Sequence, residues 1–523
     1  MNLLEISNLS LSIHGAQILH DVSLNVRPGE VVAITGESGS GKSMTALAIM
    51  QLLPDGSEMT GGITFDGEDI SQSNETRMCA LRGDSIGMVF QEPMTALNPV
   101  QTIGAQVSET VRLHRPDLDA TARTAEMLDR VGLAEISPGR YPHELSGGQR
   151  QRVVIAIAIA CGPKLLIADE PTTALDVTTQ AQILDLLVEL ARADGMGLLM
   201  ITHDLAVVAN MAHRIVVMQD GAVVETGDTA ALLNAPEHPY TKALFAASAH
   251  QATLPDQTAQ QPLLQVRGVV RDYLLPRTKL FSAAGTHRAV DSVSFDIPRG
   301  GRVGLVGESG CGKSTLTRAI LGLEPVQAGE ILLKGQPVFA SGAPNLAVRR
   351  KMQVVFQDPY GSFNPRHRVS RLITEPFHLL ETPPPDRADR IAEALTAVGL
   401  SPDDAQKYPH QFSGGQRQRL AIARALIIRP ELIVFDEAVS ALDVSVRAQI
   451  LDLIADLCRQ YDLTYLFISH DLSVVRGITD HVMVMQHGKI VEQGDTNDVF
   501  DAPKHAYTQT LIEAAPKLPR TGT

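Results

Sequence analysis

The sequence predicts an α/β protein built twice. It should form two tandem domains, each with a mostly parallel core sheet, an antiparallel β subdomain and a helical subdomain. Three observations predict this. First, "GESGSGKS" at 36–43 returns as "GESGCGKS" at 307–314. Second, Gln91 recurs as Gln357, and Ser146, Asp169 and His203 recur as Ser413, Asp436 and His470, these three at an offset of 267. Landmarks in fixed order at a nearly constant offset mark a duplication. Third, "EVVAITG", "KLLIADE" and "GLLMITHD", with "RVGLVG", "ELIVFDE" and "TYLFISHD" in the second half, are short apolar runs set between helical stretches. Such runs read as buried parallel strands.

Along each half the elements follow in order. The opening "LLEISNLSLSI" alternates apolar and polar residues, the pattern of strands on a half-exposed sheet. The next apolar run feeds the glycine loop. Residues 92–160 carry helical patterns and would lie over the sheet as a subdomain. Apolar runs then end in the acids at 169–170 and 436–437, and later in His203 and His470. "RIVVMQDGAVVETGD" and "HVMVMQHGKIVEQGD" read as hairpins turning at Asp220-Gly221 and His487-Gly488. "HQATLPDQTAQQP" is polar, contains two prolines and has no periodicity, so it reads as a flexible linker. The expected division is 1–250, linker 251–262, and 263–523.

Composition narrows the classes. The 523 residues are 44% hydrophobic and 20% charged, ordinary for a globular protein of two or more domains. A formal net charge of −14 speaks against a nucleic-acid partner, which calls for a basic face. Cys79, Cys161, Cys311 and Cys458 form no CxxC and no zinc spacing, as in a reducing compartment; apart from Cys311 in the second glycine loop they read as small buried hydrophobes. The start lacks the charge and apolar pattern of a signal peptide. The longest apolar run, 153–161, is far short of the roughly twenty residues needed to span a bilayer.

The chemistry gathers at the strand ends. Gly36, Glu37, Ser38, Gly39, Ser40 and Gly41 would wrap a phosphate chain with backbone N–H groups, at a helix N-terminus that favours negative charge. Gly307, Glu308, Ser309, Gly310, Cys311 and Gly312 repeat the cradle, with Cys311 in the slot of Ser40. Lys42 and Lys313 would reach the outer phosphates of ATP, and the hydroxyls of Ser43 and Ser314, the latter followed by Thr315, would hold Mg2+. Asp169 and Asp436 are placed to hold the same ion through its water shell. Glu170 and Glu437 follow directly; alternation in a strand makes two adjacent acids hard to explain as core. They would polarise the attacking water. A lone strand-end histidine is more often structural, but His203 and His470 each stand 34 residues after their aspartate, which favours a role in holding the γ-phosphate and water in line.

With these motifs the chain resembles, over nearly its whole length, the nucleotide-binding domains of ATP-binding cassette (ABC) transporters. It matches their Walker A, glutamine loop, SGGQ signature, Walker B, ALD loop and switch histidine. The resemblance implies that Gln91 and Gln357 serve the metal and the reaction. It also implies that Ser146, Gly147, Gly148 and Gln149 cap the nucleotide of the other half, as Ser413, Gly414, Gly415 and Gln416 do in return, giving two composite ATP sites. The phrases "FQEPMTALNP", "FQDPYGSFNP", "HPYTKALFAA" and "HAYTQTLIEAA" are closest to the oligopeptide, dipeptide and nickel permease ATPases, whose fused members serve peptide, microcin and glutathione importers. The implied protein is a peripheral ATPase on the cytoplasmic face of the bacterial inner membrane. Its partners would be two transmembrane permease subunits and, through them, an external solute-binding protein. Peptides are the expected cargo, with nickel or glutathione as alternatives.

Departures from the family pattern matter as well. Tyr273 is the candidate for stacking on adenine in the second half, whereas the first thirty residues hold no aromatic, leaving His14 or Ile13 to substitute. Ala438 stands where the family usually has proline, a change expected to be tolerated. No cysteine follows either tail phrase, so no iron–sulfur cluster is expected. A soluble twin-cassette protein acting on ribosomes or DNA is the competing class. Its members carry a long charged linker or zinc-binding cysteine pairs, and here Asp256 is the linker's only acid. A P-loop kinase would leave both SGGQ segments unexplained.

Overall fold

The computed structural model describes residues 2–173, 175–255, 261–275, 285–340, 342–382 and 384–516. It forms two compact units, the first through Ala249 and the second from His250 to Ala515. In the first unit a six-stranded sheet runs in the order Ala222–Asp228, Arg214–Gln219, Val31–Thr35, Gly197–Ile201, Leu165–Asp169, Ile86–Val89. All neighbours are parallel except the edge hairpin. The three middle strands Val31–Thr35, Gly197–Ile201 and Leu165–Asp169 are buried at every position, which is why they read as continuous apolar runs. The second unit repeats the order with Arg302–Val306, Leu432–Asp436 and Thr464–Ile468 as its middle strands.

Both hairpins turn where expected. Asp220 and Gly221 have φ 47° and 80°, and His487 and Gly488 have φ 46° and 81°, the pair of left-handed residues that a tight two-residue hairpin requires. The opening strand Leu4–Ile13 lies between Ala16–Val26 and Ser57–Phe65 in a separate antiparallel sheet. Its alternation is not strict. Asn8 takes φ 48° and the register with Ser57–Phe65 shifts between Ser7 and Ser10, a bulge that returns the apolar residues to the buried face. Gly61 faces the bulge, where an added Cβ would come within 2.4 Å of the Asn8 carbonyl oxygen.

The helical subdomain of the first unit holds Ile103–His114, Ala120–Arg130 and Gly147–Ile159. The long apolar run 153–161 belongs to the last of these, where Val153, Ile155 and Ile159 are fully buried in one core with Val107, Met127 and Leu187. No helix among the described residues is long and apolar enough to cross a membrane. Cys79 is exposed and does not meet its reading as a small buried hydrophobe.

The linker stretch differs from its reading as freely flexible. His250 Nε2 lies 2.7 Å from Asp452 Oδ1, the Thr253 carbonyl accepts a hydrogen bond from Arg459, and Ala252 and Leu254 pack on the second unit's core. Two apolar side chains in an otherwise polar stretch suffice to seat it. Residues 256–260, with Asp256, lie outside the described residues.

Candidate functional site

The phosphate loop of the first unit leaves the strand Val31–Thr35 and enters the helix Lys42–Ile49. Gly36 takes φ 150°, and a Cβ there would sit 2.2 Å from the Met218 carbonyl oxygen, so only glycine fits. Lys42 is 6% exposed. Its Nζ donates to the carbonyl oxygens of Gly36 and Glu37, both at 2.8 Å. In the second unit Lys313 Nζ reaches Gly307 O at 2.6 Å and Glu308 O at 2.9 Å, with Cys311 Sγ at 3.8 Å where Ser40 Oγ stands at 3.4 Å in the first. The ammonium is thus held at the mouth of the loop by backbone carbonyls.

Asp169 and Glu170 face different partners. The strand ends at Asp169, and Glu170 turns out of it with φ 46° while its N–H still donates to Ile201 O at 2.9 Å. The alternation argument for adjacent acids therefore does not apply; it is the left-handed turn that separates them. Ser43 Oγ donates to Asp169 Oδ1 at 3.1 Å. Burial pushes the Asp169 carboxyl up, and the Glu170 charge adds to this against the pull of Ser43 and Lys42. A hydroxyl and a buried, under-compensated carboxylate are hard oxygen donors suited to Mg2+, so the residues fit that ion. Burial raises Asp436 in the same way, but among the described residues Ser314 makes no hydrogen bond to it.

Glu170 collects three side chains. Gln91 Nε2 donates to Oε2 at 2.7 Å, Thr173 Oγ1 donates to the same oxygen at 3.0 Å, and His203 Nδ1 lies 2.9 Å from Oε1. Burial pushes this carboxyl up, but the His203 bond and charge, with Thr173 and Lys42, outweigh it and bring it down to about 2. The second unit is looser. Glu437, at φ 51°, has His470 Nδ1 at 3.5 Å. Gln357 Nε2 donates instead to Ser440 Oγ at 3.4 Å, and Ser440 donates to the Glu437 backbone carbonyl at 2.9 Å. The hydrogen bond from His470 still holds the Glu437 carboxyl low. Thr173 and Ser440 escaped the sequence reading. Their only signal is a hydroxyl three residues after the glutamate in each half.

Each SGGQ segment caps a helix. Ser146 Oγ accepts from Gln149 N at 3.3 Å while Gln149 Oε1 accepts from Ser146 N at 3.0 Å, and Ser413 with Gln416 repeat both distances. The reciprocal cap fixes the helix start. The next two N–H groups, on Gly147 and Gly148 or on Gly414 and Gly415, lie outside it. The second glycine also has a packing reason: a Cβ on Gly148 would meet Thr179 Cγ2 at 2.4 Å, and one on Gly415 would meet Val446 Cγ1 at 2.4 Å.

Tyr273 lies on the strand Pro262–Leu274. Its hydroxyl donates to Glu324 Oε2 at 2.6 Å, with Thr315 Oγ1 at 3.4 Å, and the Arg271 guanidinium stands 4.8 Å over its ring. The phenol is thus anchored, and the guanidinium covers one face of the ring. Aromatic stacking is worth about 1 kcal/mol. Tyr273→Ala is therefore expected to weaken ATP about fivefold at one of two sites in a two-site titration, and Tyr273→Phe to leave it. Equal weakening of both sites, or of neither, would count against the stacking role.

The ABC transporter family pattern matches residues 19–173 and 290–440, together more than half of the chain. The oligopeptide/dipeptide transporter C-terminal region matches residues 224–264 and 491–523. The chain is 46% identical to the glutathione import ATP-binding protein GsiA of Salmonella paratyphi A, covering 98% of this chain and 90% of that protein. It is 44% identical to GsiA of Escherichia coli K12, with the same coverage. Among solved structures, cbiO1 of Clostridium perfringens, part of the ABC transporter complex cbiONQ, is 26% identical over 46% of this chain and 92% of that one, with a TM-score of 0.41.

Proposed function

The chain belongs to the ABC transporter family, and on that premise we propose that it energises uptake of a small peptide-like solute, with glutathione the first cargo to test. It is an importer ATPase with two cassettes. The peptide cargo expected from the tail phrases and the glutathione in the relatives' names form one chemical class, since glutathione is itself a tripeptide. The importer role implies membrane permease subunits; we take these to be two, served by an external binding protein, with the chain on the cytoplasmic membrane face.

One observation carries the mechanism: in both units the lysine, the strand-end acids and the histidine gather at the same end of a parallel sheet. Lys42 and Lys313, released from their carbonyls, would meet the outer phosphates. Ser43 with Asp169, and Ser314 with Asp436, would hold Mg2+, which supplies charge neutralisation on the phosphates. Glu170 and Glu437, ionised at neutral pH, would polarise the attacking water and take its proton. Gln91 and His203, or Gln357 and His470, fix its line of approach. Following the family pattern, each SGGQ would complete the nucleotide held by the opposite cassette.

The test is ATP turnover in vesicles carrying the chain with its permeases and binding protein. Glutathione is expected to stimulate it several-fold. Stimulation by nickel or an unrelated dipeptide alone would overturn the cargo, and indifference to permeases and every solute would overturn the importer role.

A further inference from the structure

We propose that Tyr240 and Tyr507 are positioning residues for ATP: each hydroxyl locks the first peptide of its own unit's phosphate loop, making the C-terminal segment of the unit part of the nucleotide grip. The proposal rests on the ATPase reading above. The Glu37 N–H donates to Tyr240 Oη at 3.0 Å, and the Glu308 N–H donates to Tyr507 Oη at 3.0 Å. That N–H shares one planar peptide with the carbonyl of the preceding glycine. The glycine carbonyl is the one that holds the lysine, Gly36 O to Lys42 Nζ at 2.8 Å and Gly307 O to Lys313 Nζ at 2.6 Å. A single peptide plane is thus anchored at both ends, by tyrosine on one side and by the ammonium on the other. Glycine gives that plane wide rotational freedom. When the lysine leaves its carbonyl for phosphate, the tyrosine is the anchor that remains.

The delivery of each tyrosine is built with equal care in both units. Glu225 accepts the N–H groups of Glu237 at 2.7 Å and His238 at 3.1 Å, and His238 Nδ1 accepts the Tyr240 N–H at 3.2 Å, capping the helix Pro239–Ser248. Glu492 accepts those of Lys504 at 2.8 Å and His505 at 3.0 Å, and His505 Nδ1 accepts the Tyr507 N–H at 3.2 Å. Glu225, His238 and Tyr240 each recur 267 residues later. The "HPYT" and "HAYT" phrases thereby acquire a task that the Walker, signature and switch residues leave unassigned. Packing of the ring alone is the rival explanation, and phenylalanine separates the two because it keeps the ring.

In the full-length chain, Tyr240→Phe with Tyr507→Phe is expected to weaken ATP by roughly five- to tenfold, the size of one lost hydrogen bond at each site, in an equilibrium binding titration. Each single variant should weaken one site. Melting without nucleotide should fall by no more than the roughly 2–4 °C that 1 kcal/mol moves a unit of this size. Leu244→Ala with Leu511→Ala, which removes buried side chains from the same two helices, should lower melting and leave ATP affinity unchanged. Unchanged affinity in the double phenylalanine variant overturns the proposal. So does an affinity loss that only tracks lowered melting, as the leucine control would then show too. A parent that binds ATP without hydrolysing it would count against the ATPase reading and leave this titration intact.

Discussion

Steady-state ATP turnover in the Glu170→Gln, Glu437→Gln double variant is expected to fall by about a hundredfold or more while ATP binding persists. General-base and water-positioning groups contribute factors of this order. The geometry says what is lost. Glu170 meets Gln91, Thr173 and His203 within 3.0 Å, and glutamine keeps the shape but gives up the charge and one acceptor oxygen. Its carboxyl lies at about 2, lowered from an ordinary 4.5. A group depressed in this way adds stability that is present above the ordinary value and fades only as pH falls toward 2. Glu170 is therefore ionised throughout neutral and mildly acidic pH, and a loss of turnover between about pH 7 and 5 is not its protonation. Undiminished phosphate release from the double variant would remove both glutamates from the mechanism.

The same background supports a second large effect, read as ATP trapped per chain. The parent double variant should trap two, Lys42→Ala should leave one, and Lys42→Ala with Lys313→Ala should leave none, because each buried ammonium serves one phosphate loop. If each signature completes the opposite nucleotide, Lys42→Ala with Ser413→Arg damages one site twice and still traps one. Lys42→Ala with Ser146→Arg damages both and traps none. Trapped radiolabelled nucleotide after rapid filtration measures all five. The reversed outcome for the two serine pairings would mean that each half uses its own SGGQ.

Much of this was legible in the sequence because the informative strands are buried on both faces. Val31–Thr35, Leu165–Asp169 and Gly197–Ile201 have no exposed position to interrupt the apolar run, and each run stops where chemistry begins. The hairpins were legible because Asp-Gly and His-Gly suit two successive left-handed residues. The bulge at Asn8 was hidden, since it inserts a polar residue into an alternating stretch without changing composition. Ser57–Phe65 was hidden too, because seven of its nine positions are not buried and its glycines look like a turn. Within the site, the acids and histidines announced themselves by recurrence. The division of labour between Asp169 and Glu170 did not, because it depends on one φ angle. The contrast between Gln91 on Glu170 and Gln357 on Ser440 likewise arises from loop paths that near-identical motifs do not encode.

The tyrosine at the end of each unit changes where the protein can be cut. By strand count the first cassette is complete at Asp228, where its last strand ends. An expression fragment trimmed there would keep the whole sheet, the phosphate loop and every Walker and switch residue. It would lose Tyr240, the side chain that meets the Glu37 N–H from 203 positions downstream. A module that is to keep this contact is therefore longer than its visible architecture and runs to Ser248, the end of the helix that carries this tyrosine.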